Sequence, residues 1–273
     1  MIGLFEIGGR KVRVDFGRGV SIAIPLHFNG QQPSHFGAEP ARAEPMRAGE
    51  FIGDTRQGGS CNVPIITLNP HCNGTHTESV AHIVDVSIPV NSCLAGRPMP
   101  ATLISVTPKL AASSSDTCRP PSWPGDSLIT CDQLRDVLSR AGNEWLSALV
   151  VRTLPNSGSK RTCQYGEEGL SPYFSIEAID YLVKRGVKHL LVDFPSVDKA
   201  HDEGLLTAHH RFWKVPEGSH GVTPESRRDC TITEMIYVPD PLADGNYLLN
   251  LEIPAFSTDV APSRPWLFPV EFV

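Results

Sequence analysis

The chain has 273 residues and a formal net charge of -6, with 40% hydrophobic and 20% charged residues. This is an ordinary globular composition, and a chain of this length can bury a sizeable core. The negative charge argues against a general nucleic-acid binder, and no apolar run approaches the roughly 20 residues that span a bilayer.

Cysteine usage and the N-terminal sequence both bear on location. The seven cysteines stand at irregular spacings without a CxxC pair, which argues against a disulfide framework and favours a reducing compartment. The first residues lack a basic region followed by an apolar segment, so we expect no signal peptide. The prediction is a cytoplasmic protein.

Hydrophobic periodicity predicts many short strands and two helices. Residues 29–60 are rich in Gly, Pro and polar residues and are predicted to form one long loop of the kind that serves as a lid or a binding loop. Thr130 and Gln133 fit a capping box that opens a helix ending near residue 140. A second helix is predicted over residues 175–186. The predicted strands are 11–16, 20–24, 65–68, 83–88, 101–106, 148–152, 189–194, 231–238, 247–253 and 267–273.

The order of these elements predicts the fold class. Helix and strand alternate in the middle of the chain, which indicates parallel strand pairing, whereas both ends are all β. No internal repeat or domain boundary is visible. We therefore predict a single mixed α/β domain over residues 1–273.

Residues 71–82, with the sequence HCNGTHTESVAH, contain three His, one Cys and one Glu. Imidazole, thiolate and carboxylate are the side chains that bind zinc and similar divalent ions. Residues two apart on an extended segment share a face, so His76 and Glu78 can bind the same ion, and Gly74 suits a tight turn behind them. Such density is rarely incidental, and we predict a metal site.

The ligand types favour a catalytic over a structural site. Structural zinc sites have four closed ligands dominated by cysteine, whereas here one cysteine accompanies a carboxylate. Glu78 between two histidines could also bridge two ions, which would clamp a water and lower its pKa. The pattern therefore predicts hydrolytic chemistry at a carbonyl carbon.

Three segments together resemble the cyclase-like metal-dependent hydrolases, which include bacterial kynurenine formamidase and isatin hydrolase. Besides residues 71–82, the chain carries DFPSVD at 193–198 followed by LTAH at 206–209, and a late Glu234. Residues 259–265 also resemble the C-terminal segment of that family. The likeness implies a mixed-sheet, swivelling β/β/α fold with one or two divalent ions.

Carried over by position, the resemblance implies a set of metal ligands and two catalytic residues. His82 and His209 are the candidates for moving protons to the departing nitrogen. This chain departs from the family where Cys72 replaces His and Glu78 replaces Asp, and the neighbouring His71 and His210 offer alternative ligands. The implied metal ligands are Cys72, His76, Glu78, His82, His209 and Glu234.

The function implied by the resemblance is hydrolysis of an amide, formamide or lactam C–N bond, as in arylformamidases. A cyclic amide hydrolase like isatin hydrolase is the alternative, and a metal-binding or small-ligand-binding protein without turnover is a third. The thiolate of Cys72 favours Zn²⁺ over Mn²⁺. The expected partners are a small, aromatic substrate and further copies of the chain, as a dimer or tetramer. His35, Phe36 and Trp213 are candidate walls for such a substrate, or ordinary packing residues.

Overall fold

A computed structural model describes residues 1–166 and 171–273, and these contain twenty strands and three helices. The helices are α1 (Cys131–Val137), α2 (Ile176–Lys184) and α3 (Thr207–Trp213). The strands are β1 (Ile2–Ile7), β2 (Arg10–Asp15), β3 (Val20–Ser21), β4 (Ser34–His35), β5 (Arg42–Pro45), β6 (Arg47–Ala48), β7 (Phe51–Ile52), β8 (Pro64–Thr67), β9 (His76–Glu78), β10 (Met99–Val106), β11 (Lys109–Leu110), β12 (Ser127–Ile129), β13 (Ala148–Thr153), β14 (Gln164–Tyr165), β15 (Tyr173–Phe174), β16 (His189–Val192), β17 (Thr231–Glu234), β18 (Gly245–Glu252), β19 (Val260–Pro262) and β20 (Arg264–Phe272).

Both predicted helices are present, and each begins at a side-chain cap. The Thr130 hydroxyl accepts from the Gln133 N–H while the Gln133 side chain accepts from the Thr130 N–H, which is the predicted capping box. Ser175 caps α2 through the Ala178 N–H, and α2 buries Ala178, Ile179 and Leu182. None of the helices in the described residues has the length and hydropathy to cross a bilayer.

Helix α3 was not predicted. Its N-cap residue, Leu206, has a left-handed backbone and forms no side-chain cap. The first amides of α3 are instead satisfied by Asp198, which lies outside the helix and accepts from the Ala208 and His209 N–H groups. The tertiary fold therefore brings the capping group to the start of α3, and a local sequence pattern cannot predict this helix start.

The main sheet runs in the order β1-β2-β20-β18-β10-β13-β16-β17-β9-β19, with β3 paired to β20. Strands β10, β13, β16 and β17 are parallel, and the flanking pairs are antiparallel. The predicted mixed α/β sheet with a parallel centre is confirmed, although residues 83–88, predicted as a strand, form no strand. That residues 1–273 form one domain stays a prediction.

The prediction of a single long loop over residues 29–60 was wrong. This segment contains β4 to β7, of which β5 forms an antiparallel pair with β8 and β4 a parallel pair with β14. The strands are two to four residues long, too short for alternation to reveal them. Strand β4 places His35 beside the cluster at residues 71–82, where the His35 N–H donates to the Cys72 carbonyl.

Apolar side chains fill both faces of the central strands. The larger cluster packs α1, α2 and α3 against one face and includes Leu149, Leu190 and Trp213. The other includes Val150, Leu191 and Leu249 on the opposite face. Residues 148–151 of β13 and 190–192 of β16 form unbroken apolar runs whose neighbouring residues serve different clusters, as expected for parallel strands covered on both sides.

His189 is a buried histidine that makes the stability of this core depend on pH. Its ring lies on β16 with Nδ1 2.9 Å from the Thr231 hydroxyl, and burial lowers its pKa to about 4. An unfolded chain, with a histidine pKa of about 6.5, therefore binds a proton that the folded chain rejects until lower pH. The neutral His189 imidazole makes its full contribution to the stability of the folded protein above pH 6.5, and that contribution is lost as the pH falls towards 4.

We expect His189→Asn to remove this acid sensitivity. Between pH 7 and pH 4.5 the free energy of unfolding of the wild type should fall by about 2.5 kcal/mol more than that of the variant. Urea denaturation at both pH values measures the difference, and titration of all other groups cancels in the comparison. His27→Asn, at an exposed loop position, is the matched control. Equal pH dependence in wild type and His189→Asn would contradict this assignment.

Candidate metal centre

The antiparallel pairing of β9 with β17 builds the centre of the site. In this register His76 lies opposite Glu234, and Glu78 lies opposite Ile232. The chain reaches β9 through a turn in which Gly74 has φ +89°, a left-handed conformation that favours glycine and agrees with the predicted turn. Residues from distant parts of the sequence are thereby fixed on adjacent strands.

Glu78 is the centre of the cluster, with its side chain only 1% exposed. Its Oε2 lies 3.1 Å from His71 Nδ1 and 3.9 Å from His82 Nδ1, and its Oε1 lies 2.9 Å from His209 Nε2. Burial alone would raise the pKa of Glu78, but His82 and His209 hold it well below its usual range. Glu78 is therefore a carboxylate surrounded by imidazoles.

His209 is oriented by Asp198 from the loop before α3. The Asp198 carboxylate lies 2.5 Å from His209 Nδ1 and also accepts from the His209 N–H. Since a carboxylate can only accept, Nδ1 carries a proton and Nε2 faces Glu78. Burial opposes charge on His209, but Glu78 and Asp198 raise its pKa well above the usual value. This carboxylate–histidine arrangement is typical of histidines that bind metal through the other nitrogen.

His76 provides the test of whether an ion fits. Its Nδ1 lies 3.0 Å from the Gly74 carbonyl oxygen, which can only accept, so Nδ1 donates to it. The buried Nε2 lies 3.4 Å from Glu234 Oε2 and has no hydrogen-bond partner among the described residues. An imidazole nitrogen and a carboxylate oxygen that are this close can both bind one cation placed between them. Ligand atoms about 2.0–2.1 Å from a tetrahedral zinc ion are roughly 3.3 Å apart, so the pair fits.

Glu234 is held by β17 and by a backbone contact. Its Oε1 accepts from the Val197 N–H at 2.8 Å and lies 3.9 Å from His209 Nε2. The carboxylate thus reaches towards both His76 and His209. It joins the two imidazoles into one cluster.

Asp259 was missed in the sequence as a site residue. Its Oδ2 lies 2.9 Å from His71 Nε2 and 3.8 Å from His82 Nδ1. Burial opposes charge on His71, but Asp259 and Glu78 raise its pKa to about 10, and His71 and His82 lower the pKa of Asp259. Asp259 stands before β19, which pairs with β9, so the sheet and not a motif spacing brings it here.

Cys72 and His71 occupy different places in the cluster. His71 belongs to two of the three groups of converging ligand atoms found in the described residues, and Cys72 belongs to none. Burial raises the pKa of the Cys72 thiol, and nearby Glu234 adds to the effect, so without an ion it is protonated. That Cys72 is the first ligand stays a prediction, while the geometry favours His71.

The other open choice concerns His209 and His210. His209 faces Glu78, whereas His210 is hydrogen-bonded through Nδ1 to the Val215 carbonyl at 3.2 Å. Trp213 is fully buried behind His209, with 5.5 Å between ring centroids, and its indole N–H donates to the Cys230 carbonyl. It supports His209 and does not line the cleft.

The converging atoms form three overlapping groups within 4.8 Å, composed of His71, His76 and Glu78, of Glu78, His82 and His209, and of His71, His82 and Asp259. Nitrogen and carboxylate oxygen donors of this kind suit zinc or manganese. Four of these residues, His71, Glu78, His82 and His209, border a cleft of about 50 Å³, which also touches His35, Phe36 and Lys199. One water needs about 10–15 Å³ of such space, so the cleft has room for an ion with several waters.

Known proteins resemble the chain in sequence and in fold. A family model described as putative cyclase matches residues 20–199. No curated protein sequence matches the chain. A predicted metal-dependent hydrolase from Bacillus stearothermophilus has a similar structure, with a TM-score of 0.57, 16% sequence identity, and coverage of 92% of this chain and 97% of that one.

Two isatin hydrolase structures also share the fold. Isatin hydrolase A from Labrenzia aggregata, bound to benzyl benzoate, has a TM-score of 0.63 and 19% identity over 93% of this chain and 94% of its own. An isatin hydrolase bound to the product analogue thioisatinate has a TM-score of 0.58 and 15% identity over 93% of this chain and 94% of its own.

Proposed function

The chain belongs to the cyclase family, and from this premise we propose that it is a metal-dependent hydrolase that cleaves the C–N bond of an aromatic amide. The observation that carries the proposal is the buried His76 Nε2, which lies 3.4 Å from Glu234 Oε2 without a hydrogen-bond partner among the described residues, an arrangement that suits a shared cation. The fold shared with a predicted metal-dependent hydrolase supports it.

The residues proposed to hold the ion or ions are His76, Glu78, His209 and Glu234, with His71 or Cys72 completing the set. A bound divalent ion supplies a Lewis acid for the carbonyl and lowers the pKa of water. If Cys72 binds, its sulfur favours zinc; if His71 binds, the nitrogen and oxygen donors suit zinc and manganese alike. Asp198 keeps His209 in the tautomer whose Nε2 faces the site.

His82 is the residue proposed to move a proton. Its side chain is 27% exposed, and its Nδ1 lies 3.9 Å from Glu78 and 3.8 Å from Asp259, distances longer than a hydrogen bond. An imidazole held loosely at the cleft can accept a proton and deliver it to the departing nitrogen. His209 is buried between two carboxylates and is better suited to binding than to transfer.

Aryl formamides are the first proposed substrate class, and N-formylkynurenine is the family's best-known substrate. Cyclic amides such as isatin are the second, favoured by the isatin hydrolases that share this fold. Formanilide and isatin separate the two, since one is an open formamide and the other a ring that opens. A homodimer or homotetramer stays a prediction.

The test combines metal analysis with a substrate panel. Protein purified without added metal, and then loaded with zinc or manganese, is assayed on formanilide, isatin and an aryl lactone, with His76→Ala as the inactive control. We expect turnover of an amide that His76→Ala loses. Metal content below about a tenth of an equivalent without rescue by either ion would refute the metal-dependent mechanism. A metal-loaded wild type that turns over none of the three would favour a binding protein.

A further inference from the structure

His35 lies on the wall of the cleft although it belongs to a different part of the chain. Strand β4 ends at His35, and the His35 N–H donates to the Cys72 carbonyl at 3.1 Å, which ties the two segments together. The side chain borders the same cleft as Glu78, His209 and Glu234, and the residue is only 4% exposed.

Neither nitrogen of this buried imidazole has a hydrogen-bond partner among the described residues. The Tyr165 backbone approaches the ring without hydrogen-bond geometry. A buried polar group that lacks a partner destabilises the protein, so such groups need an explanation. A neutral imidazole offers one N–H donor and one acceptor, and a ligand in the cleft can satisfy either.

Phe36 extends the same surface outwards. Its ring lies against His35, with centroids 3.9 Å apart and planes inclined by 41°, and the residue is 69% exposed. It also has φ +52°, a strained conformation for a residue with a side chain. An apolar ring held in a strained, exposed position at the mouth of a polar cleft is suited to contact a ligand.

We propose that His35 and Phe36 form the recognition surface for the substrate, which is an aromatic amide whose polar edge hydrogen-bonds to His35 and whose ring packs on Phe36. This rests on the proposed function, because it names the substrate class of that site. Because Phe36 is exposed and His35 is buried along the same cleft, the substrate ring lies at the mouth against Phe36 and the amide reaches inside.

If His35 recognises the substrate, its replacement should weaken binding without lowering the stability of the protein. If His35 is structural, its replacement should lower the stability. His35→Phe keeps an aromatic ring and removes two nitrogens that lack a hydrogen-bond partner in the described part of the chain. The ligand-free variant should melt at the same temperature as the wild type or up to about 4 °C higher. It should nevertheless bind benzamide, used as a probe on the zinc-loaded protein, at least about tenfold more weakly.

Calorimetric titration with benzamide and thermal melts of ligand-free protein make the test. His35→Gln, which retains polar atoms, should recover part of the lost affinity, and Phe36→Leu should weaken benzamide binding without changing that of acetamide. His27→Phe, at an exposed loop position, is the matched control and should leave both readouts unchanged. Kinetics on formanilide should show a raised KM for His35→Phe with a smaller change in kcat.

Equal benzamide affinity in wild type and His35→Phe would overturn the proposal. So would a wild type that does not bind benzamide, or a fall of more than about 4 °C in the melting temperature of His35→Phe, which would mark the residue as structural. Binding is measured apart from turnover. A chain that binds benzamide through His35 but hydrolyses no amide would refute the proposed function alone, and unchanged KM with intact turnover would refute the recognition surface alone.

Discussion

Glu78→Gln is expected to reduce kcat/KM on an amide substrate by at least about 10³-fold, equivalent to about 4 kcal/mol of transition-state stabilisation. The substitution keeps the shape of the side chain but removes the charge on which His71, His82 and His209 converge. An amide is a poor ligand for a divalent ion compared with a carboxylate, so we also expect the metal content of the purified variant to fall well below that of the wild type.

Glu252→Gln, which neutralises an exposed carboxylate at the end of β18, is the matched control and should retain both metal and activity. Glu78→Asp is informative because the family resemblance places Asp at this position. A side chain shorter by one methylene would not reach both His71 and His209, and we expect an intermediate loss. A Glu78→Gln protein that keeps its metal and retains activity within about threefold of the wild type would contradict the central role of this carboxylate.

Removal of the metal is the second change with a large expected effect. Chelator-treated protein should lose its amide hydrolase activity and regain it on addition of zinc or manganese, yet it should stay folded. The apolar clusters on both faces of the sheet do not include the ligands. Without an ion, His209 still has Glu78 and Asp198 as partners, and His71 has Glu78 and Asp259.

Far-ultraviolet circular dichroism before and after chelation should therefore be superimposable. The melting temperature should fall, because an ion at 1,000 times its dissociation constant stabilises the folded state by about 4 kcal/mol. Loss of secondary structure on chelation would instead indicate a structural zinc site. Activity that survives complete removal of the metal would contradict the proposed chemistry.

Local signals in the sequence were sufficient to predict several helices and strands. The capping box at Thr130 and Gln133 and the buried strand over residues 148–152 depend only on neighbouring residues, and both appear in the structure. Helix α3 and strands β4 and β5 do not, because their hydrogen-bond partners lie elsewhere in the chain. Strands β6 and β7 pair with each other, and with two residues each they are too short for alternation to reveal them. The same distinction applies to the site.

The sequence by itself determined that ligand-type residues crowd residues 71–82, and the family resemblance added His209 and Glu234 from far along the chain. Side-chain chemistry and two-residue periodicity are local properties, so they can be read without a structure. Only the tertiary structure decided which neighbour of a pair faces the cluster, placing His71 against Glu78 and His210 away from it. It also brought in Asp259 and placed His35 beside the cluster, since strand pairing positions a residue through contacts that no spacing along the chain records.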